Sequence, residues 1–245
     1  MKIKLNKNQI EMFSRQIVLK NIGIIGQEKI IKSKVLIIGM GGLGCPVAEF
    51  LVRAGVGTIG IVDSDSIDLS NIHRQSLFNI SDLKKSKVDV AKKKLKKINS
   101  KAKIDCYKTR FNKKNCNSII KKFNFIVDGS DNFETKLLIN DTCKKEKKFL
   151  VTAAISKFDG HIFTFDFKDK KSPCLRSFFQ EDEILDDVLD CQFEGVLGTV
   201  ANIVGTIQAN EILKKILKIG KSLNGKILII DLLNLNFRKV NLRKV

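Results

Sequence analysis

The 245-residue chain has no tryptophan, one tyrosine and two prolines, and sets 26 acidic side chains against 45 basic ones. Each shortage excludes something. No uninterrupted apolar stretch approaches the roughly 20 residues that cross a bilayer, so no membrane partner is expected. The opening MKIKLNKNQIEMFSRQ lacks the hydrophobic core of a signal peptide, which argues against export. The six cysteines, at 45, 106, 116, 143, 174 and 191, form no Cys-x-x-Cys pair. That spacing speaks against a disulfide framework or a self-contained zinc knuckle and suits a reducing cytoplasm.

What remains is ordinary globular material. With 43% hydrophobic and 29% charged residues, the chain can bury the core of one large domain. The formal charge of +19 raises the question of a nucleic-acid partner. The lysines are spread along the whole chain, however, and aromatic stacking platforms are lacking, so a nucleic-acid-binding module is the lesser alternative. The densest run, Lys92, Lys93 and Lys94 with Lys96 and Lys97, falls on the polar face of an expected helix and reads as a solvated face. Such charge still favours the approach of an anionic substrate or an acidic partner protein.

Along the chain, residues 8–32 read as one or two short helices. KVLIIG at 34–39 is a continuous apolar run suited to a buried parallel strand, followed by a glycine-rich turn and a helix through Arg53. TIGIVD (58–63), AKIDCYK (102–108), FNFIVD (123–128) and FLVTAAI (149–155) are further strands. Between them, Ser86 and Asp89 suggest a capping box opening a helix with Val88, Ala91, Leu95 and Ile98 on its apolar stripe. Helices are also expected at 112–122 and 132–147. Strand–helix alternation predicts an α/β, Rossmann-like, mostly parallel sheet with helices on both faces. The last third changes character. GHIFTFDF (160–167) should pair antiparallel with 149–155, QEDEILDDVLD (180–190) is locally acidic, 199–219 is a long amphipathic helix, and 226–231 with 235–242 closes as a hairpin.

Gly39-Met40-Gly41-Gly42-Leu43-Gly44 follows the first strand and opens a helix, and Asp63 ends the next strand. Glycines allow a tight turn, the helix N-terminus attracts phosphate, and the acid would hold ribose hydroxyls. Taken alone this means "nucleotide", with an NAD(P)-dependent oxidoreductase as the default and a packing turn as the plainer alternative. The residues after Asp63 shift the balance. Asn71, Arg74 and Gln75 lie in DSDSIDLSNIHRQ, then come Lys87 and the Asp131 of DGSDN. Fixed cations suit a triphosphate because they neutralise charge developing on a pyrophosphate leaving group, and a carboxylate at a strand end suits magnesium. Singly, Arg74 and Lys87 could be surface charges and Asp131 a helix cap.

SRQIVL (14–19), GQEKIIKSKVLIIGMGGLGCP (26–46), AGVGTIGIVDSDSIDLSNIHRQ (54–75), SKVDVAKKKLKKIN (86–99), VDGSDNFETK (127–136) and GTIQANEILK (205–214) together resemble the ThiF/MoeB/HesA family of E1-like adenylyltransferases. The match is in order over nearly the whole chain. The resemblance implies ATP-dependent adenylation, with Mg2+, of the C-terminal glycine of a ubiquitin-like sulfur-carrier protein. It implies a single domain over 1–245: an N-terminal helical segment (1–33) reaching a dimer partner, a nucleotide-binding core (34–150), and a carrier-binding half with a crossover loop (151–245).

Carried over by position, Gly39, Gly41, Gly42 and Gly44 would cover the phosphates and Asp63 the ribose. Asp65, Ser70, Asn71, Ile72, His73, Arg74 and Lys87 would line the triphosphate site, and Asp131 would hold magnesium beside Asn132. Arg15 would reach across a homodimer into the neighbouring site; an exposed helical arginine is the alternative. Cys191 would sit on the crossover loop as a candidate for a covalent carrier link, or else be inert. Implied partners are the carrier, slightly nearer the thiamine branch than the molybdopterin branch, and a sulfur donor such as a cysteine desulfurase or rhodanese. The family often holds structural zinc on two Cys-x-x-Cys pairs. Here Ser177 replaces the second thiolate of the first pair at Cys174, and the second pair is missing before Val245, so zinc is expected to be absent.

Overall fold

The apolar run at 34–38 lies at the heart of one eight-stranded sheet. The computed structural model describes residues 5–178 and 195–242. Strands β1 (Lys34–Ile38), β2 (Thr58–Val62), β3 (Lys103–Tyr107), β4 (Phe125–Asp128), β5 (Phe149–Ser156), β6 (Asp159–Asp166), β7 (Lys226–Asp231) and β8 (Asn236–Asn241) stand in the order β3-β2-β1-β4-β5-β6-β7-β8. The first five in that order are parallel, and β5 through β8 pair antiparallel.

Both faces of β1 are buried, which is why its sequence does not alternate. Val35 and Ile37 pack into a cluster with α4 (Gly44–Arg53), α5 (Lys87–Ile98) and α8 (Gly198–Leu217). Leu36 and Ile38 face the opposite cluster, built with α6 (Cys116–Ile120) and α7 (Phe133–Lys145). At roughly 25 cal/mol per Å2 of apolar surface removed from water, these two layers are the main favourable term of the fold. Just past α8, Lys218 takes a left-handed conformation that ends the helix.

Three local expectations need correction. Residues 8–32 form three short helices, α1 (Lys7–Met12), α2 (Ser14–Ile17) and α3 (Gly23–Lys32), broken first at Phe13, which is buried and ends α1. The helix expected over 112–122 is only Cys116–Ile120. Asn112 and Asn115 explain this: Asn112 Oδ1 accepts from the Lys114 amide and Asn115 Oδ1 from the Asn112 amide. Local turns of that kind compete with helix. The third correction concerns α5. Ser86 is its N-cap residue, but the side chain makes no capping bond and Asp89 pairs with Lys108 instead. A bridge between Ser66 and Ser86 lays the 65–67 segment over this helix end, where the Asp65 carbonyl takes the Lys87 amide. On the polar face of α5, Lys92, Lys93 and Lys97 are exposed, as expected, while Lys94 pairs with Asp82.

No helix among the described residues is long and apolar enough to cross a membrane. The acidic stretch 180–190 and Cys191 lie outside the described residues.

Candidate functional site

In an open sheet, ligands bind at the strand carboxyl ends where the strand order reverses direction. Here that point lies between β1 and β4, and two turns meet there. The Gly129 amide donates to the Ile38 carbonyl at 2.8 Å. A Cβ on Gly39, whose φ is +90°, would lie 2.6 Å from the Gly129 carbonyl oxygen, and one on Gly44 would lie 1.9 Å from that of Gly39. These two glycines are required by backbone packed against backbone.

Gly41 differs. A Cβ there would meet nothing nearer than Gln75 Nε2 at 3.8 Å. Among the described residues no contact demands a glycine at this position, so the bare backbone is open to a ligand. Gln75 is buried beside it, and its Oε1 has no partner among the described residues. An uncovered glycine backbone and an orphaned buried polar atom together fit a bound nucleotide.

Asp63 ties the acid of β2 to this turn. Its Oδ2 accepts from the Met40 amide at 2.7 Å and its Oδ1 from the Asp65 amide at 2.8 Å. Burial pushes the Asp63 carboxyl above its ordinary range, against the pull of Lys87 and the two amides. Lys87, 8% exposed at its side chain, holds Asp65 at 2.9 Å. The 310 turn Leu69–Asn71 carries Ser70 and Asn71, with Ile72 and His73 following; Asn71 Oδ1 accepts from the Asp68 amide. Arg74 donates from Nη1 to the Ser70 carbonyl at 2.7 Å and lies 2.9 Å from His73 Nε2. It has no carboxylate partner among the described residues, which leaves its charge for an anion. Gly42 packs between Ala201 and the Arg74 stem. Cys45 is no nucleophile here, since burial raises its thiol to about 12.

Asp131 is exposed at the start of α7, and the helix is capped by its neighbour: Asn132 Oδ1 accepts from the Thr135 amide at 2.9 Å. The Asp131 carboxylate is therefore not consumed in capping. No group of three metal-ligating side chains occurs among the described residues. A lone carboxylate suits magnesium held jointly with phosphates, not a cage built from protein.

Arg15 stands apart from this cluster. Its neighbour Gln16 fastens α2 to the body through Gln27 Oε1 at 2.6 Å and the Ala54 carbonyl at 2.8 Å, while Arg15 itself is exposed. Cys174 Sγ lies 3.5 Å from Ser177 Oγ and 3.7 Å from Lys144 Nζ. Burial raises this thiol, but the Ser177 hydrogen bonds and the Lys144 charge outweigh burial and bring it below the usual range.

Site-region residues that sequence reasoning misses are the buried Asp128 and Gln208 and the partly buried Lys136. Gln75 stands out in the sequence only as part of its span. A buried Asp at a strand end reads like any strand terminator, and two of its partners, Thr152 and Gln208, lie far along the chain.

The profile of the ThiF family matches residues 13–245. The chain is 37% identical over 241 residues to the "Sulfur carrier protein adenylyltransferase" of Thermus thermophilus, covering 97% of this chain and 89% of that protein. It is 39% identical over 241 residues to the "Adenylyltransferase and sulfurtransferase MOCS3" of Dictyostelium discoideum, covering 98% of this chain and 56% of that protein, so it spans about half of that relative's length. Among solved structures, E. coli MccB with AMPCPP and MccA superposes with a TM-score of 0.84 at 21% identity, over 99% of this chain and 73% of that one. PaaA gives 0.81 at 23% identity, over 98% and 76%. At those identities the solved structures attest the fold alone; by profile and relatives, this chain belongs to the E1-like ThiF family.

Proposed function

We propose that this chain is an adenylyltransferase that uses ATP to activate the C-terminal glycine carboxylate of a small ubiquitin-like sulfur carrier. The observation that carries this reading is the open Gly41 backbone beside orphaned Gln75, flanked by an Arg74 guanidinium that no described carboxylate neutralises. The Thermus relative's name supports the same substrate class. Together they favour a triphosphate site over the dinucleotide and nucleic-acid alternatives.

The residues then act by charge and alignment. A carboxylate and a triphosphate repel, so the site must screen both anions and hold the carboxylate in line with the α-phosphorus. Arg74 and Lys87 offset the negative charge that grows on departing pyrophosphate. Asp63 braces the glycine turn and accepts from the ribose. Asp131, with Asn132, would hold magnesium against the phosphates, and that ion supplies Lewis-acid stabilisation of the leaving group. No general base is needed, because the attacking carboxylate is already ionised.

Arg15 belongs to the neighbouring site of a homodimer in this reading. It is exposed on a short helix surrounded by uncovered apolar residues: Val18 is 75%, Leu19 54%, Ile24 52% and Ile25 72% exposed. A second copy of the chain would cover them. Cys191 is assigned to the later transfer of sulfur, not to adenylation. The carrier is of the thiamine type before the molybdopterin type, with sulfur from a cysteine desulfurase or rhodanese.

The test is ATP–pyrophosphate exchange in the presence of small β-grasp proteins ending in Gly-Gly. A carrier-dependent exchange that falls by at least about 100-fold in Asp131→Ala and Arg74→Ala, at unchanged melting temperature, is expected. No exchange with any such carrier, or near-normal exchange in Asp131→Ala, would remove the reading.

A further inference from the structure

Asp128 is completely buried at the end of β4, where an apolar residue would be the cheaper choice. Every oxygen it has is engaged. Its Oδ1 accepts from the Ser130 amide at 2.9 Å and from Ser130 Oγ at 2.6 Å. Its Oδ2 accepts from Thr152 Oγ1 at 2.5 Å and from Lys136 Nζ at 3.1 Å. Its backbone carbonyl accepts from Gln208 Nε2 at 2.9 Å. Lys136 also reaches the Ala153 carbonyl at 2.7 Å.

These bonds join four elements, β4, β5, α7 and α8, around one short turn. That turn, Gly129 to Asn132, lies against the glycine turn at Gly39 on one side and presents Asp131 on the other. A buried ion pair is poor evidence for stability, since well-packed apolar groups often do as well, but a fully satisfied polar network holds its members in one arrangement.

We infer that Asp128 is a positioning residue of the nucleotide site. It fixes the backbone of Gly129 and Ser130 against the glycine turn and so sets the direction of the Asp131 carboxylate. The inference rests on the assignment of Asp131 to the magnesium–nucleotide complex. Asp128 touches none of the reacting atoms; it acts through Ser130 and the turn. Lys136 neutralises it, and Thr152 and Gln208 anchor it to the flanking strand and to α8.

The decisive experiment uses the full chain with Asp128→Asn combined with Lys136→Gln, so that neither charge is left buried alone. Two readouts are taken: amide hydrogen exchange at residues 129–132 in nucleotide-free protein, and the magnesium dependence of pyrophosphate exchange. Amide exchange at Gly129 and Ser130 should quicken about tenfold or more. The half-saturating magnesium concentration should rise about tenfold, with the KM for carrier held within about twofold, as when an outer-shell partner of a metal ligand is lost. A folded double variant with wild-type amide exchange and a wild-type magnesium midpoint overturns the inference. Should that variant fail to fold, Thr152→Val carries the test: it removes one donor and keeps both charges. About threefold shifts in the same two readouts are expected there, and no shift in either overturns the inference. If Asp131→Ala leaves the magnesium midpoint unmoved, the Asp131 assignment fails by itself, and the amide-exchange readout still decides whether Asp128 holds the turn.

Discussion

The two halves of the sheet obey different rules. In the parallel half, β3-β2-β1-β4-β5, the central strand is buried on both faces, so its faces are spent on packing and the strand ends are left for chemistry. Gly39, Asp63 and the Asp128–Asp131 turn all lie at those ends. In the antiparallel half, the last strand, β8, is exposed at every position and, among the described residues, pairs on one side only. Phe237 is 53% and Val240 46% exposed there. The difference teaches where substitution should matter: tightly constrained at the parallel strand ends, tolerant along β8.

The largest effect should come from testing that contrast directly. Gly44→Ala forces a methyl within 1.9 Å of a backbone oxygen that cannot move aside, so the turn itself must shift. A loss of about 3 kcal/mol or more in a denaturant titration is expected, with failure to express folded protein as the extreme. Gly41→Ala, three residues earlier, should change stability by no more than about 0.5 kcal/mol yet weaken ATP binding in calorimetry, because its methyl enters ligand space. Phe237→Ala in β8 should likewise stay within about 0.5 kcal/mol. Equal losses at Gly44 and Phe237 would break the contrast between the halves. Unchanged ATP affinity in Gly41→Ala would show that this backbone is not the nucleotide's seat.

Legibility follows the same division. The run KVLIIG was readable as a buried strand because a sheet covered on both faces imposes an uninterrupted apolar pattern. The antiparallel return of 160–167 was readable because it alternates. Signals failed where a polar side chain had two possible uses. Asn112 and Asn115 look helical in a periodic window and instead fold into turns. Ser86 and Asp89 have capping spacing, but the 65–67 segment occupies the helix end first. Asp131 and Asn132 both suit a cap, and only the structure shows that Asn132 takes it. Asp128 was hidden for another reason: Thr152 lies 24 residues away and Gln208 80 residues away, beyond any local pattern. The meeting of the glycine turn with Asp63 and the Arg74 stem was legible because each sits within a short motif.

The N-terminal segment belongs to neither half, and it gives an intermediate effect. Arg15→Ala and Asp131→Ala are each expected to be inactive. If Arg15 acts across a two-fold interface, mixing them in equal amounts makes half of the dimers hybrid, each with one complete site. About a quarter of the wild-type exchange activity should return, once subunit exchange is complete. Absence of recovery with demonstrated subunit exchange would confine Arg15 to its own protomer or take it out of the site.

The smallest effect concerns a tie between the halves. Arg176, on the 310 turn Leu175–Ser177 that follows β6, holds Asp141 of α7 with Nε 2.9 Å from Oδ1 and Nη2 2.8 Å from Oδ2. Burial pushes the Asp141 carboxyl up, but the Arg176 and Asn140 hydrogen bonds and the nearby cations outweigh it and hold the carboxyl below its usual range. A lowered acid stabilises the fold above its ordinary value and loses that contribution as pH falls through the lowered one. Both side chains are about two-fifths exposed, at 40% and 42%, so water screens the pair strongly. Asp141→Asn should therefore cost only about 0.5 kcal/mol at pH 7, with the gap to wild type narrowing below about pH 4. Paired thermal melts across that range measure it. A gap that stays constant with pH would mean that the Asp141 side chain contributes by packing and its amide neighbours, and that charge does not fasten the antiparallel half to α7.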